Sequence, residues 1–370
     1  MLTDVCNQNE GSFQPLKLKV KHKKKYEPDK INKILIRGTN WIGDAILTIP
    51  TISAIRQGFP DSHITLLAKE WVRDLFKYNK DIDEVITYKQ ANGKVLQIKR
   101  ARDFLIPKKF DLAFLLQNAF EAALIAYLAK INYRIGYNTD CRSCLLTSVV
   151  YLNKEVLRVH DVNYYLSLAH SLDLPLTKRL PFVNTSDVED EFIQKWLEKQ
   201  DDPSEGLIGI NPGAYYGSAK RWLPERYAEI ANILHNDYKS HIVFLGGSQE
   251  VRMKEEISRY LSFKPVWAIG ELSLIQTAAL IKRCNLVVTN DSGLMHLAAA
   301  VNTPVVAIFG SSDPNLTGPL KGHSVVIKKD LGCSPCFKRE CPNGHLRCME
   351  LITVQDVMEG IERVKTLVKG

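Results

Sequence analysis

With 370 residues, 45% of them hydrophobic, the chain has the apolar content of a soluble globular protein of two domains. Its formal net charge of +8 fits an anionic partner: a nucleotide, a phosphorylated lipid head group or nucleic acid. No uninterrupted apolar run approaches the roughly 18 residues of a membrane span, and the longest stretch, 112–131, is broken by Gln117, Asn118 and Glu121. The first 30 residues lack the apolar core of a signal peptide, so a cytoplasmic chain is expected, and its eight cysteines are not expected to form a disulfide framework.

Residues 1–30 form a polar, flexible extension carrying Lys17, Lys19, Lys21, Lys23, Lys24 and Lys25. It reads as a solvated tail or as a tether to anionic lipid, worth about 1 kcal/mol per basic residue near the surface. A nucleic-acid arm is disfavoured because the segment has almost no aromatic side chains for stacking. The apolar strand 33–37 then runs into Gly38-Thr-Asn-Trp-Ile-Gly-Asp44 and a helix over 45–57. Strand, glycine-bearing loop and helix are how a doubly wound domain begins, although the G-x-G-x-x-G spacing of a dinucleotide fingerprint is absent. Asp44 at the start of that helix is either a simple N-terminal charge or a general base at the carboxyl ends of the strands, where ligands of such folds bind. Alternation continues with strands at 64–68, 84–87, 111–116 and 133–137. Helices are predicted at 71–78, 93–106, 119–130 and 161–172. Strands apolar on both faces and separated by helices predict a parallel sheet covered on both sides, here spanning a domain of residues 31–180. Cys141 and Cys144, a lone C-x-x-C with no second pair beside it, read as ordinary thiols.

Residues 181–206, with Pro181, a helix over 188–199 and Asp201-Asp-Pro-Ser-Glu-Gly206, are the expected linker. A second domain, 207–350, restarts the alternation with a strand at 207–210. The turn Asn211-Pro-Gly-Ala-Tyr-Tyr-Gly-Ser-Ala-Lys-Arg-Trp222 follows, then Pro224 where a helix can begin. Lys220 and Arg221 on this small-residue loop suit a pyrophosphate, or are a pair of surface charges. Strand 241–248 ends in glycines ahead of a helix over 250–261, so Glu250 is either a ribose contact or a helix N-terminal charge. After a helix over 274–283, the apolar strand 285–289 turns through Asn290, Asp291, Ser292 and Gly293 into an Ala-rich helix. A capped helix N-terminus with glycine beside it is an anion site, with unpaired N–H groups and the positive helix end facing the ligand. Met295 and His296 fall in the first helical turn, near enough to line it. A further strand, 304–310, and its turn, 311–314, follow.

The segment 333–348 holds Cys333, Cys336, Cys341 and Cys348, with His345 among them. Four soft ligands within 16 residues suffice for a zinc ion or an iron–sulfur cluster. The spacing is not the paired C-x-x-C pattern, and free thiols, a local disulfide or a redox role fit it as well. No metal site is assigned. Thr353 caps a terminal amphipathic helix, 354–368, within the C-terminal segment 351–370.

Three blocks of this sequence resemble glycosyltransferase family nine, the bacterial ADP-heptose:lipopolysaccharide heptosyltransferases, and within it the heptosyltransferase II group. They are Gly43-Asp-Ala-Ile-Leu47, Asn211-Pro-Gly-Ala with Ala219-Lys-Arg-Trp222, and Thr289-Asn-Asp-Ser-Gly-Leu-Met-His-Leu-Ala-Ala299, at family-like spacing over about residues 32–320. The third block is highly specific and the first weak. The resemblance implies a GT-B fold, two Rossmann-like domains facing across a cleft, with acceptor on the N-terminal and nucleotide sugar on the C-terminal side, and a terminal helix bracing the N-terminal domain. It implies an inverting, metal-independent transfer of heptose from ADP-heptose to the lipopolysaccharide inner core, with no cofactor and no nucleic acid. The protein would be cytoplasmic and work peripherally at the inner membrane face, its oligomeric state left open. By the same resemblance Asp44 is the base, Lys220 the phosphate-binding lysine, and Ser292, Gly293 and Leu294 the turn that holds the ADP phosphates. Asp291 faces the heptose hydroxyls, Glu250 is the loosely aligned ribose partner, and His296 lies in the motif without a stated role. The alternatives are a GT-B transferase using another nucleotide sugar for a different envelope glycan, a nucleotide-sugar epimerase, and a non-catalytic basic binding protein.

Overall fold

The computed structural model describes residues 2–4, 14–88, 92–176, 180–200, 206–320 and 323–369. Two compact α/β units meet in sequence at Pro181 and Phe182. Strands are numbered along the chain, beginning with β1 (Leu2–Asp4), which belongs to the C-terminal unit.

The N-terminal sheet contains β2 (Val20–His22), β3 (Lys33–Arg37), β4 (His63–Leu67), β5 (Glu84–Ile86), β6 (Leu112–Leu115), β7 (Tyr133–Tyr137) and β8 (Ser148–Val150). Their spatial order is β2-β8-β7-β6-β3-β4-β5, all neighbours parallel except β2 with β8. Ile34, Leu35 and Ile36 of β3 are buried on both faces, as a parallel sheet under two helical layers requires. The helix predicted over 45–57 is two helices, Ile42–Leu47 and Ile49–Gly58. Pro50 has no N–H to continue the first helix, and Thr48 Oγ1 donates to Ala45 O (2.7 Å) at the break. The earlier start puts Asp44 in the first turn.

Residues 14–30 are not the flexible tail that their lysines predict. Leu18 is buried, and the Leu16 and Leu18 N–H groups donate to Ser167 Oγ (2.8 Å) and Ser171 Oγ (2.9 Å). β2 then closes the open edge of β8. Residues 5–13 of the extension lie outside the described residues.

The C-terminal sheet repeats the plan with β9 (Leu207–Asn211), β10 (His241–Phe244), β11 (Val266–Trp267), β12 (Leu286–Asn290), β13 (Val305–Phe309) and β14 (Ser324–Lys328). Its order is β1-β14-β13-β12-β9-β10-β11, parallel except for β1. Taken without the antiparallel edge strand, each sheet has the strand order 3-2-1-4-5-6 of a Rossmann fold. Strand order reverses between β3 and β6 in one unit and between β9 and β12 in the other, and a crevice opens at the carboxyl ends of each pair.

Two expected boundaries differ. The predicted linker contains the helix Asp187–Glu198, which packs on the helix Leu274–Arg283 and buries Ile193 and Leu197. Ser186 and Glu189 form its capping box, and Lys282 holds Asp190 (2.9 Å), so it belongs to the C-terminal unit. Residues 201–205 of that linker lie outside the described residues. The terminal helix Val354–Lys369 was expected to brace the N-terminal domain. Within its own unit the helix lays Val357, Ile361 and Val364 on β13, β14 and the helix Pro224–Asn236. Among the described residues no helix is long and apolar enough to cross a membrane.

Ile361 is fully buried in this cluster. Ile361→Ala should destabilise the C-terminal unit by about 3 kcal/mol through lost burial and the cavity left behind, read as an earlier midpoint in urea unfolding.

Candidate active site

The C-terminal crevice is built from the end of β9, the end of β12 and the helix Gly293–Ala300. Ser292 caps that helix, its Oγ accepting from Met295 N–H (3.4 Å). Asn211, the last residue of β9, donates from Nδ2 to Ser292 Oγ (2.8 Å) and Thr289 Oγ1 (3.0 Å), fixing the cap against the neighbouring strand. The Asn211 Oδ1 acceptor is buried without a hydrogen-bond partner. Helix geometry leaves the first N–H groups unpaired within the helix, and those of Gly293 and Leu294 lie at its half-exposed mouth.

Lys220 arrives from the other side on a short 3-10 turn, Ser218–Lys220. Its ammonium pairs with Asp291 Oδ2, on which the Ser312 hydroxyl also donates, with Thr317 Oγ1 at 3.5 Å. Asp291, expected to face sugar hydroxyls, therefore commits one carboxylate oxygen to orienting the lysine; its side chain is 4% exposed. The loop between β9 and Trp222 is held by Asn290. Its Oδ1 accepts from Trp222 N–H (3.1 Å) and Tyr227 OH (2.8 Å), and its Nδ2 donates to Pro212 O (2.7 Å) and Gly213 O (3.3 Å).

Glu250 folds under the same loop and accepts from Gly247 N–H (2.8 Å). A Cβ on Gly213 would sit 1.8 Å from Glu250 Oε1, so only glycine allows this approach. Burial raises the Glu250 carboxyl above its usual range, against the pull of Gly247 N–H and the Arg221 charge. His296 is buried in the first helical turn, and Met295, placed by sequence near the ligand, is fully buried.

In the N-terminal unit the loop after β3 carries Asp44, half-buried, on the short helix Ile42–Leu47. Tyr165 makes a side-chain hydrogen bond to Asp44, and burial first, then the Asp44 charge, pushes its hydroxyl well above the ordinary tyrosine value. Tyr165 therefore stays a proton donor to the carboxylate at any working pH. Its neighbour Tyr164, raised to about 12 by burial, accepts from Asn118 Nδ2 (2.7 Å). Asn118 lies just beyond β6 and takes Arg142 Nη2 on its Oδ1 (3.2 Å). Arg142 is fully buried and is lowered to about 10 by desolvation. Loop 38–40 is set by Arg37, which donates to Gly38 O (2.6 Å) and Asn40 Oδ1 (3.2 Å).

The family model for glycosyltransferase family 9 (heptosyltransferase) matches residues 98–347. The chain belongs to glycosyltransferase family 9. It is 32% identical over 341 residues to lipopolysaccharide heptosyltransferase 2 of Escherichia coli K12, covering 88% of this chain and 97% of that protein. It is 31% identical over 363 residues to lipooligosaccharide heptosyltransferase 2 of Haemophilus ducreyi, covering 90% and 99%. Among solved structures, E. coli ADP-heptose lipopolysaccharide heptosyltransferase II superposes with a TM-score of 0.79 at 30% identity, covering 91% of this chain and 100% of the other. A glycosyl transferase family 9 protein of Veillonella parvula gives a TM-score of 0.80 at 24% identity, over 94% and 99%, and speaks for the fold. The chain is thus a glycosyltransferase of the GT-B class, as the three motif blocks implied.

Within this family member the C-terminal unit brings together Lys220, Asp291, Ser292, Gly293 and Leu294 at one crevice, with Glu250 below the adjoining loop. Asp44 stands in the other unit. Asn290, Asn211 and Asn118 were read in the sequence only as turn or run-breaking residues, and Tyr165 and Arg142 were not singled out. Asn290 and Asn211 sit beside predicted strand ends, where a polar residue in an apolar run was the available signal. The other three offer none, because only the fold brings them together.

The glycines give a direct test. A Cβ on Gly217 would meet Arg339 O at 2.2 Å, whereas at Gly247 nothing lies within 4 Å. Gly217→Ala should cost about 1–3 kcal/mol by displacing the lysine loop, and Gly247→Ala should be near neutral, both read by thermal unfolding. A second test uses Glu250. A carboxyl raised by folding contributes stability present below its unfolded value and lost as pH rises through the folded one. Glu250→Gln should therefore gain stability relative to the parent at pH 7 but not at pH 4, measured as melting temperature against pH.

Proposed function

We propose that this glycosyltransferase transfers heptose from ADP-heptose to the heptosyl-Kdo2-lipid A inner core, with inversion and without a metal in the chemical step. The capped helix N-terminus at Ser292–Leu294, with Lys220 beside it, carries the proposal. Cleaving a nucleotide sugar leaves negative charge on the diphosphate, and fixed N–H donors with a compact cation stabilise that charge as it develops. In this proposal Lys220, held by Asp291 until the donor arrives, turns its ammonium to the β-phosphate. The Gly293 and Leu294 N–H groups take its oxygens, and Asn211 Oδ1 is an acceptor for a donor hydroxyl. Glu250, under Gly213, is placed to meet the ribose.

On the acceptor side Asp44 removes the proton of the attacking hydroxyl while the sugar–diphosphate bond breaks on the opposite face. Tyr165 keeps the Asp44 carboxylate oriented and, as a neutral donor, does not compete for that proton. The relatives' names, lipopolysaccharide heptosyltransferase 2 and ADP-heptose lipopolysaccharide heptosyltransferase II, support the donor and acceptor classes.

The proposal also places the enzyme at the inner face of the cytoplasmic membrane, where a lipid-linked acceptor resides. The helix Lys94–Leu105 exposes Val95 (84%) and Leu96 (42%), and Ile106 follows at 40%. Lys94, Lys99 and Arg100 are exposed on the same helix. Apolar and cationic residues mixed on one exposed helix suit an anionic lipid interface.

The test is a donor panel of ADP-heptose, ADP-glucose, UDP-GlcNAc and GDP-mannose against the heptosyl-Kdo2-lipid A acceptor, with EDTA present. Turnover is expected with ADP-heptose alone. Asp44→Asn should lower kcat by about 10³-fold with ADP binding kept, and Lys220→Ala should lower kcat/KM by about 10²-fold or more. Turnover with another nucleotide sugar would remove the substrate assignment, and absence of nucleotide binding would remove the mechanism. Cosedimentation with anionic vesicles at low salt should fall when Lys94, Lys99 and Arg100 are changed to glutamate, and unchanged cosedimentation would count against the membrane face.

A further inference from the structure

Between β14 and the short helix Arg347–Glu350, residues 329–346 contain neither helix nor strand. Connections longer than about 12–15 residues without secondary structure are uncommon in compact domains and need something to order them. This one is well ordered against the crevice. Ser334 Oγ donates to Gly310 O (2.6 Å), Phe337 N–H to Ser311 O (2.7 Å), and Tyr216 OH to Phe337 O (3.0 Å). Arg339 O accepts from Ala219 N–H (3.0 Å), the residue before Lys220. The loop has little apolar surface with which to hold this position, since Phe337, its largest apolar side chain, is half exposed.

What the loop does have is sulfur. Cys333, Cys336, Cys341 and Cys348 are all free thiols and all line one cavity of about 20 Å³, together with His345 and Ser311. That volume holds one water-sized guest. Ser311 is 1% exposed and its Oγ, at the cavity wall, has no hydrogen-bond partner. A hydroxyl buried beside four sulfurs with nothing to bond is in place to donate to a thiolate, as outer-sphere groups do around metal-bound sulfur. His345 is otherwise engaged: Nδ1 accepts from Arg347 N–H (3.1 Å), which places the ring proton on Nε2.

We propose that Cys333, Cys336, Cys341 and Cys348 form a tetrathiolate site for one thiophilic divalent ion, Zn²⁺ or Fe²⁺, which staples this loop to the lysine-bearing loop of the crevice. Four sulfurs in tetrahedral array select these ions over harder ones. Binding converts four Cys–SH into four metal thiolates and releases four protons to solvent, leaving the site at −2. Lys338, Arg339 and Arg347 in the same segment offset that charge. Among the described residues no three ligand-type side chains already stand at metal-binding geometry, and the proposal requires the thiols to turn inward as the ion enters. The role is structural, and the ion touches no reacting atom.

The experiment uses the full-length protein, purified without chelator and also reconstituted anaerobically with Zn²⁺ or Fe²⁺ after reduction. Elemental analysis is expected to give one equivalent of either ion per chain. Thiol titration should then show four fewer reactive cysteines until a chelator is added. Cys336→Ser and Cys348→Ser should each lower occupancy at least tenfold, while Cys144→Ser keeps one equivalent and serves as the folding and handling control. Less than a tenth of an equivalent in the folded, reconstituted parent would overturn the proposal. So would a disulfide within 333–348 in freshly isolated protein, mapped by peptide mass.

Discussion

Asn290 is the residue on which the C-terminal crevice depends. It is the last residue of β12, has no exposed surface, and carries two donors and two acceptor lone pairs, all of them used. Two bonds go to the loop that leaves β9 and two to Trp222 and Tyr227, beyond Lys220. One amide thereby fixes both ends of the loop that presents the lysine. A buried polar group left unpaired costs about 1–3 kcal/mol, so any smaller residue here would strand several partners at once. The next residue, Asp291, then has its backbone direction set by the strand and can aim its carboxylate at Lys220. The third, Ser292, caps the helix. Three successive side chains serve three levels of the structure, and none can be exchanged for another of the three without losing its level.

This explains why the strand–turn–helix block was the most readable part of the sequence. Its strand is apolar throughout, its turn holds residues whose side chains favour a helix start, and its helix is rich in alanine, so local chemistry and the global fold agree. The alternating apolar strands and helices made both Rossmann-like sheets legible for the same reason. The lysine-rich extension misled because its charge count masked its period. Leu16, Leu18 and Val20 alternate with Lys17, Lys19 and Lys21, which is strand spacing, and the residues that receive it, Ser167 and Ser171, lie about 150 positions away. The terminal helix was correctly seen as amphipathic, but a stripe of apolar residues states that a face will be buried, not against what. Tyr165, Asn118 and Arg142 were invisible because a buried polar network is a property of three distant segments.

The two units share a strand order and differ in what their switch points hold. In the C-terminal unit the carboxyl ends of β9 and β12 present cation and helix N–H groups, with one acid, Asp291, paired with Lys220 and a second, Glu250, buried under the adjoining loop. Under the proposed function such a site would attract a diphosphate before any bond changes. At the carboxyl ends of β3 and β6 stands the half-buried carboxylate of Asp44, backed by a neutral tyrosine and, further in, by the desolvated Arg142. Two similar folds thus present different side chains at equivalent places.

The separation has a chemical reason. A carboxylate that must accept a proton loses basicity next to a lysine and a helix N-terminus, since nearby positive charge favours its ionised form. A phosphate cradle in turn is weakened by an uncompensated acid. In the proposed reaction, a base at Asp44 and a phosphate cradle at Lys220 and Ser292–Leu294, carried by different units, would each keep the environment its step requires. Within the cradle the remaining acid, Asp291, is tolerated because it is satisfied by Lys220, Ser312 and Thr317. It becomes an anchor that holds the ammonium at the helix mouth rather than a competitor for the incoming phosphate. The same logic places Glu250 under Gly213, where burial weakens its charge close to the anion site. The two acids at this crevice are accommodated differently, one by a partner and one by burial.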